Sequence, residues 1–145
     1  MRRLGSSPET RAIAPATLQA AGLGAMLLSS TFLIDGLTTQ ADYDFKFYVQ
    51  LAVLALFAGF IFGGLATGLA LMLAGAPVAR IAGDRLESHA GVALAVGIAV
   101  LGIAAFHAIA GQDEFFFLMA AACFALPAAF IYRKQVLLER TFDRL

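Results

Sequence analysis

Cysteine occurs once, at Cys123, tryptophan not at all and histidine only twice in a chain of 145 residues. A lone cysteine excludes an intramolecular disulfide and a cysteine-rich metal centre. Set in an apolar stretch, it reads as a small hydrophobe. Charge is equally scarce. Ten basic and ten acidic side chains give a formal net charge of zero, so no long-range attraction to nucleic acid is expected. A nucleophilic triad, a phosphate-cradling loop, paired catalytic carboxylates and metal-ligand spacings are also missing. The expectation is a chain that is not an enzyme and carries no cofactor or metal.

Apolar sequence fills the space. Hydrophobic residues make up 61% of the chain, against about 45–50% in soluble domains. Too little polar surface remains to cover a body in water, so the chain reads as a single domain, 1–145, embedded in a lipid bilayer. A hydrocarbon core needs about 20 apolar residues as helix, and four runs meet or approach that length: 16–37, 47–74, 90–109 and 115–132. Open strands would leave backbone groups unpaired in lipid. The connectors are short. Together these features predict an all-α, integral membrane four-helix bundle, antiparallel and up-down-up-down, with short tails at 1–15 and 133–145. Pro15 suits the first turn of helix one and Pro77 a stop after helix two. Pro127 predicts a kink in helix four. The segment from Arg133 onward either extends that helix or rests on the membrane surface.

Basic residues set the expected orientation. Arg2, Arg3, Arg11, Arg80, Arg85, Arg133, Lys134, Arg140 and Arg144 fall on one side, and Lys46 alone on the other, beside Asp35, Asp42, Asp44, Asp113 and Glu114. The positive-inside rule then puts both termini in the cytoplasm of a bacterial-type inner (plasma) membrane. Phe45, Phe47, Tyr48 and Phe115 to Phe117 sit at the outer interface and Tyr132 at the inner one, where aromatic residues are favoured. The N-terminal 41 residues also resemble a signal sequence, with Thr39 and Ala41 at the cleavage position. Their apolar stretch exceeds the usual signal core of about 7–15 residues, which favours an uncleaved first helix.

Helix two is rich in glycine, which disfavours helix in water by about 1 kcal/mol against alanine. At about 100° per residue, Ala52, Ala55, Gly59, Gly63, Ala66, Ala70 and Ala74 fall on one narrow face. Gly64, Gly68 and Gly75 form a second small patch roughly opposite. Gly59 to Gly63 and Gly64 to Gly68 are both GxxxG. In lipid, helices associate by close contact, which small side chains permit. Helix two is therefore expected to be the central packing strut, matched by Ala93, Gly97, Ala104 and Ala108 on helix three and Ala121, Ala125 and Ala128 on helix four. A second small face would suit a homo-oligomer or a partner in a membrane complex.

No charged residue lies near the midplane of a run, where proton pumps and many transporters keep one. Asp35, Gln50 and His107 are the candidates for a polar cluster in the outer leaflet, with Asp35 and His107 able to pair. Haem would have only His107 with Met119, because His89 stands about 27 Å from His107 along the helix. Helix one lacks the central glutamate of small multidrug transporters, and the missing tryptophan removes likeness to the small permease subunits of tripartite transporters. The leading expectation is a small inner-membrane accessory or interaction subunit. The alternatives are a small oligomeric channel or transporter using the outer cluster and, more weakly, a membrane redox protein.

Overall fold

In the computed structural model residues 7–38, 44–110 and 115–144 are described, residues 90, 105–110 and 115–117 by their backbone alone. Among the described residues the chain is helical and contains no strand. Ser7, in extended backbone, accepts a hydrogen bond from the Thr10 amide, and Pro8 opens the short helix α1 (Pro8–Arg11). Such a start satisfies one orphan amide and places proline where no N–H is needed. Helix α2 (Ile13–Thr38) continues from it.

The second rod, Phe45–Glu87, is 43 residues long. It consists of α3 (Phe45–Ala58), a π-helical turn (Gly59–Gly63), α4 (Gly64–Ala70), a second π-helical turn (Leu71–Gly75), α5 (Ala76–Ala82) and a closing 3-10 turn (Gly83–Glu87). Then come α6 (His89–Ala110) and α7 (Phe115–Arg144). Among the described residues three helices, Pro8–Thr38, Phe45–Glu87 and Leu118–Arg144, are long and apolar enough to cross a membrane. In the remaining helix the stretch described with its side chains, Gly91–Ala104, is apolar.

These bounds differ from the expected ones at three places. Pro77 does not end the second rod. It occupies the first turn of α5, directly after a widened π turn, so its missing N–H and bulky ring meet no regular helical partner. The stop is Gly83, whose φ of 52° suits glycine alone. Helix α7 runs through Pro127 without interruption, and 133–144, expected as a tail, is its last three turns. Residues 8–11 and 13–15 are helical as well.

The packing hub is α2, not the glycine-rich rod. Ala12, Ala16, Ala20, Gly24 and Leu28 recur every fourth residue and are buried, with Ala21 and Ala25 beside them. The most apolar window of Pro8–Thr38 is 28% buried, against 17% for each of the other two candidate spans. Helix α2 packs against both the second rod and α7, while α6 packs on α7 and the 3-10 turn. A narrow alanine seam is what allows one helix to meet two neighbours at backbone distance.

The expected single face on the second rod is split. Ala52 and Gly59 are buried and Ala55 and Gly63 half-buried, but Ala66, Ala70 and Ala74 are exposed. Gly64, Thr67, Leu71, Ala76 and Ala79 take over the inner face, with Gly68 and Gly75 half-buried at its edge. The two π turns are the cause. Each inserts one extra residue, so the buried positions step by five from Gly59 to Gly64 and from Leu71 to Ala76. On α6 the expected residues Ala93, Gly97 and Ala104 are likewise exposed, and Gly91, Ala95 and Ala99 face inward. Ala128 of α7 is buried and Ala121 and Ala125 half-buried, while the side chain of Ala108 lies outside the described residues.

Glycine matters most around Phe124. A Cβ on Gly24 or Gly63 would collide with its ring, and one on Gly59 would stand 3.4 Å from its Cζ. A large aromatic of α7 thus inserts into a notch cut jointly from α2 and the second rod. Both GxxxG patterns contribute to this inner seam rather than to opposite faces: Gly59 and Gly63 meet Ala25 and Phe124, and Gly64 and Gly68 meet Ala21 and Thr17.

Candidate functional site

Polar side chains converge at one end of the molecule, where α1, the turn after α5 and the end of α7 meet. Arg140 reaches inward from α7. Its Nη2 donates to Glu9 Oε1 at 2.7 Å and to the Ala79 carbonyl at 3.0 Å, its Nη1 to the Gly83 carbonyl at 2.7 Å, and its Nε to Glu9 at 3.2 Å. The two carbonyls belong to the last turn of α5 and its cap, which an α-helix leaves without internal donors. Arg140 therefore caps α5 while neutralising Glu9, which is buried. The Glu9 carbonyl accepts from the Tyr132 hydroxyl at 2.9 Å.

Around this centre lie more ion pairs. Arg11 bonds Glu139 at 2.8 Å and Asp143 at 2.6 Å, and Arg144 approaches Glu87 at 3.3 Å. Arg80 donates to the hydroxyls of Ser7 and Thr10, and Arg133 Nε to the Leu86 carbonyl at 2.8 Å. Leu86 is itself pressed against Gly91, where a Cβ would overlap its carbonyl. The assembly joins residues 131 positions apart and fixes the ends of three helices. Its chemistry is mutual neutralisation and helix capping.

Sequence reasoning missed this network. The positions of the basic residues predict an orientation but do not by themselves pair them with Glu9, Asp84, Glu87, Glu139 and Asp143. A signal existed: acidic residues alternate with the arginines in all three segments. The three expected outer-leaflet residues behave differently. Asp35 near the end of α2 and Gln50 on α3 are exposed. His107 lies on α6, with its side chain outside the described residues. Asp42, Asp113 and Glu114 also fall outside them. Among the described residues no group of three or more His, Cys, Asp or Glu is arranged to hold a metal ion.

The fold and this end of the molecule define an all-helical protein of membrane type, with three helices suited to crossing a bilayer. No family model, no curated protein and no solved structure matches the chain.

Proposed function

We propose that the chain is a four-span inner-membrane protein, antiparallel and with both termini cytoplasmic, that serves as a non-catalytic accessory or interaction subunit of a membrane complex. Helix α6 has 22 residues, about 33 Å of helix, which suits it as the fourth span. Two approaches support alternation of direction. The end of α2 meets the start of α3 where Gly36 lies against Tyr48. Helix α1, which leads into α2, meets the end of α7 through Arg11 and Glu139. The described basic residues other than Lys46 share one end, in keeping with a cytoplasmic face.

The observation that carries the interaction role is the outward small-residue edge. Ala66, Ala70 and Ala74 are exposed on the second rod, and a Cβ on Gly97 or Gly102 of α6 would meet nothing within 4 Å. Lipid tails gain little from such surfaces, whereas another helix gains close contact. The test places a photoreactive residue at position 70 or 97 in the membrane-bound chain. Cross-links to one discrete protein, lost in Ala66→Leu with Ala74→Leu, are expected. The same probe in place of the exposed Phe62 gives lipid adducts only. Lipid adducts alone at all three positions would refute the role.

A further inference from the structure

We propose that the cleft between the second rod and α6 binds one anionic phospholipid, with a stretch of one acyl chain lying along the cleft and the headgroup phosphate on Arg133. Helix α6 leans on α7 and stands off from the second rod. The gap is a narrow, open-sided groove of about 50 Å³, and it is lined by Leu71, Val78, Leu94, Ile98 and Ala129 with Arg133 at one end. Its depth comes from small residues, since Gly75, Ala95 and Ala129 supply little side chain to its walls. An open-sided apolar cleft between membrane helices is filled by hydrocarbon, because water there would have no polar partners.

Charge at the mouth selects the headgroup. Only Nε of Arg133 is engaged, on the Leu86 carbonyl, and its two Nη groups have no partner among the described residues. That single bond fixes the guanidinium plane and leaves a two-pronged donor edge, which matches phosphate. Gly91 also lines the cleft, so the N-terminal end of α6, the positive end of its dipole, opens at the same place. Arg85 and His89 are exposed on the adjoining turn. Nearby acidic groups Asp84 and Glu87 face Arg144. A basic pocket between helices at the membrane surface suits an anionic headgroup.

Native mass spectrometry of the full chain, in micelles doped equally with phosphatidylglycerol and phosphatidylcholine, tests the proposal. One phosphatidylglycerol is expected to be retained about tenfold in preference. Arg133→Gln should bring the two lipids close to parity, Arg133→Lys should keep part of the preference, and Lys134→Gln should leave it unchanged. Leu94→Trp, which fills the mouth from an exposed position, should lower retention of both lipids. Far-UV circular dichroism reports folding. Should Arg133→Gln unfold through loss of the Leu86 bond, Arg133→Lys and Leu94→Trp decide. Equal retention by the native chain overturns the proposal, as does a preference untouched by the Arg133 variants. So does an equal loss in Lys134→Gln, which would indicate a diffuse basic surface.

Discussion

Arg140 and Glu9 should respond unequally to removal, and the inequality follows from what each partner retains. The Glu9 and Arg140 side chains are 9% and 13% exposed, so the pair is mostly shielded from solvent screening. Arg140→Met strips Glu9 of its guanidinium and also leaves the Ala79 and Gly83 carbonyls without their donor. Breaking a buried pair from one side costs about 3–5 kcal/mol, and the uncapped carbonyls move this case toward the upper end. Glu9→Gln is milder. The amide oxygen still accepts from Arg140, and the guanidinium keeps both carbonyls, so only the charge-assisted part of the bond is lost, about 1–2 kcal/mol.

Unfolding of the detergent-solubilised chain with sodium dodecyl sulfate, followed by far-UV circular dichroism, measures both. The double variant Glu9→Gln with Arg140→Met should be more stable than the sum of its parts predicts, by about 1–2 kcal/mol, because the second change removes the stranded carboxylate. Equal costs for the two single variants would refute the asymmetry. A double variant that is simply additive would refute the pairing itself.

Gly63→Ala should cost about 1–3 kcal/mol by forcing Phe124 out of its notch, with much of the loss recovered when Phe124→Leu is added, in the same unfolding assay. Gly83→Ala should cost about 1 kcal/mol or more, since its φ of 52° is unsuited to a side chain, and should increase hydrogen exchange in the turn that follows α5. Thr17→Val should be neutral or stabilising, because Thr17 Oγ1 is a buried oxygen with no hydrogen-bond partner; a loss above about 1 kcal/mol would mean that the hydroxyl is bonded. Ala52→Leu should destabilise the chain while Ala74→Leu does not, although a regular helix would place the two on one face.

Helical class and the approximate position of each helix were legible because lipid leaves the backbone few alternatives, and because long apolar runs are the strongest signal a sequence carries. The hub was legible too, in the fourfold spacing of Ala12, Ala16, Ala20 and Gly24, but the denser glycines of the second rod drew the inference away from it. Glycine density marks where another chain comes close, not which helix has the most neighbours. Phe124 shows the distinction: it needs Gly24 and Gly63 equally, and one glycine from each helix suffices. The polar end was not legible as a set of pairs. Glu9 and Arg140 lie at opposite ends of the chain, and only the return of α7 to the start of α2 brings them together.

The split face of the second rod has a different origin. A helical wheel assumes a constant advance per residue, and each π turn breaks that assumption by one position. After Gly59–Gly63 the seam passes from Gly63 to Gly64, and after Leu71–Gly75 it passes from Gly75 to Ala76. Glycine stands at both ends of the first turn and at the close of the second. There the widened backbone and the ring of Phe124 or Tyr132 compete for the same space, and a side chain would obstruct one of them. The abundance of glycine in a segment that must stay helical therefore has two causes acting together, close approach by a neighbour and a local change of helical pitch. The second also turns Ala66, Ala70 and Ala74 outward. Ala66 and Ala70 follow the first turn and Ala74 lies within the second, so the edge proposed above for a partner helix is rotated away from α2 by that change of pitch.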